Sequence, residues 1–254
     1  MKQPPLSRIL HSTSMWNSPK KLKTISGNSS KKSSISLNHT NESHDREYLA
    51  ELMRDFPVQN PPSLEIASKL LLLRFEKLNI EQFSTALVPL SDDEFVERFH
   101  SLPLKIHRYL FRDILSNAGM FRNHRDSEGG RIFFGPSQKF QGTPPLRIAD
   151  GVKEACSYLA RNVSDPITAV VRFYQLFVLV HPFYDANGRI GRFITSVYLD
   201  YHGYHLFWVK MHRNQKWLRK LNACHKRPDD ERYLQELVKH WKKFILRKDE
   251  IDSV

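Results

Sequence analysis

The segment His181 to Arg192 reads His-Pro-Phe-Tyr-Asp-Ala-Asn-Gly-Arg-Ile-Gly-Arg, and no other stretch of the 254-residue chain gathers as much chemistry. His181 is a general-base candidate, because an imidazole with an ordinary pKa near neutrality can take the proton of an incoming hydroxyl. Asp185 is a hard-metal ligand. Arg189 and Arg192, three residues apart, put two guanidinium groups on one helical face, where they match phosphate oxygens. Asn187-Gly188 readily takes positive φ and marks a tight turn.

Two helices must hold this segment. Ala169, Val170, Phe173, Phe177 and Val180 recur at helical spacing after an Asp165-Pro166 start signal, which predicts a buried helix. Pro182 forces His181 out of helical geometry. Arg189 to Tyr201 resumes the apolar spacing of a helix, so the turn ends at a helix N-terminus. Free amides and the helix dipole make such an end an anion site, and with two arginines beside it a polyphosphate is the natural guest. A carboxylate tolerates phosphates when a cation lies between them, and one carboxylate plus phosphate oxygens is the usual seat of Mg²⁺. The expected ligand is a nucleoside triphosphate with Mg²⁺.

The same residues meet every fixed position of the Fic signature, His-x-Phe-x-Asp/Glu-Gly/Ala-Asn-Gly/Lys-Arg-x-x-Arg, through His181, Phe183, Asp185, Ala186, Asn187, Gly188, Arg189 and Arg192. The chain therefore resembles the Fic (Fido) family. A second stretch, Ile106 to Phe111 followed by Ala118 to Arg122, is similar to the upstream half of the Fic core; within it His107 and Arg122 read as packing or hydrogen-bonding residues. The resemblance implies a mainly α-helical Fic-type bundle with a short β-hairpin flap, and transfer of AMP from ATP to a Ser, Thr or Tyr hydroxyl of a target protein. It implies His181 as the base, Phe183 as the anchor of the loop in the core and Asp185 as the Mg²⁺ ligand. Asn187, Gly188, Arg189, Gly191 and Arg192 form the implied nucleotide-binding set, with Arg192 on the terminal phosphate. Gly188 leans toward nucleotidyl transfer, since members resembling kinases carry Lys there. Trp217 and Leu221 fall where members wall the base pocket. Transfer of UMP, GMP, phosphocholine or phosphate, and a non-catalytic nucleotide-binding adaptor, stay open as alternatives.

Between the two matches, Gly129-Gly130, Arg131-Ile132-Phe133-Phe134 and Gly135-Pro136 read as a hairpin between breakers. At the flap position of the family, Arg131, Ile132, Phe133 and Phe134 would hold an extended target segment by strand addition, with Arg131 and Phe133 facing it. Elsewhere helices are expected over 44 to 56, 63 to 79, from Ser91 to a break at Pro103, from Leu104 onward, 148 to 159, 215 to 223 and 230 to 246. Ser43 to Glu47 partly matches the inhibitory Ser/Thr-x-x-x-Glu-Gly/Asn pattern of some members, but Tyr48 stands where Gly or Asn belongs. Inhibition by Glu47 or by a separate partner protein stays open.

Residues 1 to 40 hold seven Lys/Arg, ten Ser and no acid, so residues 1 to 44 read as a disordered basic tail. Seven of the twelve net positive charges lie there, which leaves five for the remainder. That excess demands no specific nucleic acid. The tail resembles a transit peptide or the export signal of a bacterial effector. The Fic domain is expected over 45 to 247 and a short tail over 248 to 254. Unpaired Cys156 and Cys224 suit a reducing compartment, and no apolar run spans a membrane. Cytoplasmic action is expected, with delivery into a host cell as the second option. His202 and His205 lack a third ligand at zinc spacing and read as structural.

Overall fold

The computed structural model describes residues 36–87, 91–123, 130–214 and 216–251. The basic stretch up to residue 35, with its expected export signal, lies outside the described residues, as do Gly129 and the last three residues of the C-terminal tail. The architecture is mainly α. In chain order it runs α1 (Ser36–Asp55), α2 (Leu64–Glu76), α3 (Ile80–Thr85), α4 (Asp92–Phe111), β1 (Phe133–Phe134), β2 (Phe140–Gln141), α5 (Ile148–Arg161), α6 (Pro166–Val180) and α7 (Asn187–Tyr201). It continues through β3 (Tyr204–Leu206), α8 (Trp208–Arg213), α9 (Lys216–Lys226), α10 (Glu231–Trp241), β4 (Ile245–Arg247) and α11 (Lys248–Ile251).

Helices α6 and α7 are the centre. The α6 start is fixed by Pro166 in its first turn and by Asp165, whose side chain accepts from Thr168 N at 3.1 Å. Val170, Val171, Phe173, Tyr174 and Phe177 are all buried, while Arg172, Leu176 and Leu179 on the remaining side are half-buried, so α6 lies within the core over most of its circumference. Helix α7 approaches it closely at Gly191, where a Cβ would stand 3.2 Å from both Phe177 Cδ1 and Tyr174 Cε2. Gly191 was expected among nucleotide-binding residues; it is instead the buried point that lets the two helices meet. Helix α5 packs on α6, α4 on α5 and α7, and α10 on α6. The Tyr198 hydroxyl ties α7 to α5 by donating to Leu159 O at 2.8 Å.

Four expectations change. Helix α4 runs unbroken through Pro103, because Ser91 and Glu94 close a capping box and Phe99, Leu102, Ile106, Leu110 and Phe111 are buried. Interior proline costs about 3 kcal/mol, whereas each large apolar side chain buried returns about 1.5 to 3 kcal/mol. Helix α1 starts at Ser36 rather than near residue 44. The short α3 adds to the expected helices, held by Phe83 edge-on to Phe193 and by the Ser84 hydroxyl donating to Asp200 at 2.6 Å. Finally, α10 ends at Trp241, and β4 leaves it to pair antiparallel with β3, so the fold has a second strand pair in addition to the β1–β2 hairpin. Ile245 is buried and Leu246 exposed, the alternation of a strand.

Candidate active site

His181 caps α6 in the left-handed region, with φ 53° and ψ 60°. That conformation is costly for a residue with a Cβ and survives only where its surroundings over-determine it. Arg122 does so. Its Nε donates to His181 O at 2.6 Å, Nη2 to Val180 O at 3.2 Å, and its backbone N to Pro182 O at 3.0 Å. The same guanidinium donates to Gly130 O and Thr143 O, so one buried side chain ties the histidine to both roots of the hairpin. The sequence suggested a hydrogen-bonding role for Arg122; its position as the hub of the site becomes visible only in the fold.

The His181 ring stacks on Phe134 at 4.3 Å and holds Nδ1 3.2 Å from Val178 O. A carbonyl can only accept, so Nδ1 carries the proton and the Nε2 lone pair is left as acceptor. Burial pushes the imidazole down to about 3, against the opposing Val178 hydrogen bond. The ordinary near-neutral pKa expected from sequence is therefore corrected: His181 is already in its base form at pH 7.

Phe183 is buried and stacks on His107 at 4.2 Å with planes 8° apart, which anchors the loop in the core. His107 accepts from Gly119 N at 2.9 Å, and burial pushes it to about 3. Asn187 is a brace rather than an open phosphate ligand. Its Oδ1 accepts from Phe183 N at 2.9 Å and its Nδ2 donates to Phe183 O at 2.7 Å.

Ala186, at φ 64°, leads into α7, whose first ladder bond is Ile190 N to Ala186 O at 2.8 Å. Among the described residues no side chain caps this helix. The amides of Asn187, Gly188 and Arg189 precede the ladder, at the positive end of the helix dipole. A Cβ on Gly188 would meet only Arg192 Nη1, at 3.4 Å. Arg192 lines the cavity in front of these amides and is hydrogen-bonded to Tyr174. Arg189 is placed differently from the expectation. It donates to both oxygens of Asp185, at 3.1 and 2.9 Å, and packs over Phe75 at 4.8 Å, while Asp185 itself lines the cavity.

The cavity measures about 470 Å³. Trp217 and Leu221, buried, wall its far side from α9. His212 and His225 also line it; burial pushes each to about 4. Sequence reasoning passed over both, since they come from α8 and α9 and carry no motif. Tyr48 reaches the cavity from α1 and donates to Tyr184 O at 2.7 Å. Glu47 is exposed on α1 and is not a lining residue. Among the described residues no group of three or more His, Cys, Asp or Glu could hold a metal, His202 and His205 included. A single cavity-facing carboxylate fits Mg²⁺ that arrives with phosphates, and does not fit a resident all-protein cage.

Beside His181 the hairpin pairs Phe133 with Gln141 and Phe134 with Phe140. Its turn needs Gly135, which lies at φ 78° with Phe140 Cδ2 2.4 Å from where a Cβ would be. Of the four expected target-binding residues, Arg131 is exposed and Phe133 half-buried, so these two can meet a ligand. Ile132 is fully buried, and Phe134 faces inward onto His181. The alternation of side chains along a strand turns both away from solvent.

A mainly helical frame with a small hairpin beside the loop that joins its two central helices is a Fic-type fold. A Fic family protein from Desulfovibrio desulfuricans superposes with a TM-score of 0.50 at 17% identity, over 85% of this chain and 63% of that one. Residues 100–199 match the Fic/DOC family. It is 25% identical to a probable protein adenylyltransferase of Aquifex aeolicus over 117 residues, 46% of this chain and 35% of that protein. It is 28% identical to a Fido domain-containing protein of Dictyostelium discoideum over 93 residues, 37% of this chain and 62% of that one. The aligned segments thus span about a third and somewhat under two thirds of these curated relatives.

Proposed function

We propose that the protein transfers AMP from ATP to a hydroxyl side chain of a target protein. The observation that carries the reading is the pairing of a neutral histidine, its Nε2 free to accept, with an uncapped helix N-terminus and Arg192 in one cavity. The target oxygen forms a bond to the α-phosphorus, and the bond from that phosphorus to the α,β-bridging oxygen breaks. Pyrophosphate leaves with the electron pair. His181 Nε2 takes the hydroxyl proton, while the α7 amides and Arg192 hold the charge on the phosphates. Asp185 would hold Mg²⁺, which when bound neutralises phosphate charge. Arg189 then serves mainly to fix Asp185. The exposed Arg131, just before the hairpin, and the half-buried Phe133, on β1, would meet the target segment. Action in a reducing compartment is supported by Cys156 and Cys224, both buried free thiols. Among the described residues no helix is long and apolar enough to cross a membrane.

Purified protein incubated with Mg²⁺ and each α-labelled nucleotide, with and without lysate, tests this beside a His181→Ala control. Label from ATP that reaches protein only when His181 is present is the expected result. Label preferentially from UTP or GTP would keep the mechanism and change the base. Equal labelling by His181→Ala would remove the assigned base.

A further inference from the structure

A second hollow of about 450 Å³ opens beside the cavity, between the hairpin turn and α9, and shares Pro136, Arg219 and Asn222 with it. Lys139 from the hairpin, Arg219 and Lys226 from α9, and Arg227 just beyond all line it. Among the described residues no Asp or Glu does. Arg227 is held over the Tyr233 ring at 5.3 Å and bonds its hydroxyl. Asp230, the carboxylate whose pKa Arg227 helps to lower, is taken up by Arg232 at 3.0 and 2.8 Å. Lys139, Arg219 and Lys226 are exposed. A groove of one sign focuses potential and concentrates oppositely charged chains.

We infer that this groove docks an acidic segment of the protein substrate, close in sequence to the hydroxyl that is modified. The inference rests on the transferase reading above. Lysine ammoniums are point charges that accept carboxylates without a fixed geometry, which suits a mobile acidic peptide. Single-stranded nucleic acid would need open aromatic faces for its bases. Among the described residues the two rings that line the groove offer none: Phe140 is buried and Tyr233 is covered by Arg227. A chain laid along the hairpin passes the Pro136 turn, which borders both hollows, so residues flanking the acceptor reach the lysines.

The test uses the full chain without nucleotide and fluorescence anisotropy of a labelled glutamate-rich serine peptide. A lysine-rich peptide and an oligothymidylate are the comparison probes. Lys139→Glu/Lys226→Glu should weaken the acidic peptide about tenfold, the scale of two exposed ion pairs lost and reversed. Lys20→Glu/Lys21→Glu, equal in charge but in the basic N-terminal stretch, controls for bulk charge and should change it less than about twofold. ATP binding and the circular dichroism of the groove variant should match the parent. Equal affinity of parent and groove variant, or equal loss in the N-terminal control, would overturn the inference. So would tighter oligothymidylate binding that the groove variant abolishes. Peptide docking in a protein that labels nothing would leave the groove assigned and remove the transferase reading instead.

Discussion

Replacing Asn187 by Ala separates a brace from a phosphate ligand. The amide closes two hydrogen bonds to the Phe183 backbone, at 2.9 and 2.7 Å, inside a buried loop. Truncation leaves one buried N–H and one buried C=O without that partner, each costing about 1 to 3 kcal/mol, so the loss is about 2 to 6 kcal/mol. For a domain of this size each kcal/mol moves Tm by about 2 to 4 °C, which predicts a fall of roughly 4 to 24 °C. Thermal unfolding without nucleotide reads the effect directly. Asn187→Asp should also destabilise, because it keeps the acceptor toward Phe183 N but turns a carboxylate toward Phe183 O. A side chain that served only to bind phosphate would leave the ligand-free Tm untouched and raise KM alone. A Tm within about 1 °C of the parent would refute the brace.

Because burial holds His181 at about 3, the kcat/KM profile for ATP should show no inflection near the ordinary imidazole value of 6.5; a protonation step there would contradict the assigned base form. Stability should fall as pH drops. His107 and His181 stay neutral when folded but take up protons when unfolded below about 6.5, so the contribution is present above that pH and disappears toward 3. Between pH 7 and pH 5 the buried His107 alone should cost about 2 kcal/mol, measurable by urea unfolding, and His107→Phe should flatten the dependence. Arg122→Ala should lower kcat at least about tenfold while fluorescence-measured ATP affinity changes little, since it positions His181 without lining the cavity; unchanged kcat would show that the hub is dispensable. Glu47→Ala should leave the labelling rate within about twofold, because Glu47 does not line the cavity; marked activation would reinstate it as an inhibitor.

The central loop was legible because its residues are contiguous and because α5, α6 and α7 carry clean apolar periods that end at Pro182 and restart after Gly188. What escaped depended on distance in sequence. Pro103 looks like a break to any local rule, and only the burial of Phe99, Leu102, Ile106 and Phe111 keeps α4 whole. Ile245 to Arg247 continues the apolar spacing of α10, yet β3 offers its backbone a partner, and pairing wins. Asn187 and Arg189 have the residue types of anion ligands, but Phe183 and Asp185 lie within their reach and take up their polar groups first. The low pKa of His181 follows from Phe134 and the surrounding core, which no spacing within the motif encodes.

Arg122 joins carbonyls on both sides of the hairpin to the end of α6, and Thr143 N closes the same ring by donating to Val180 O at 3.1 Å. These bonds cannot break one at a time without stranding a buried guanidinium. Hairpin and histidine therefore open as one cooperative unit, and the amides of Gly142, Thr143 and His181 should exchange with deuterium at a common free energy. Peptide docking at the hairpin would then slow exchange at His181 without touching it.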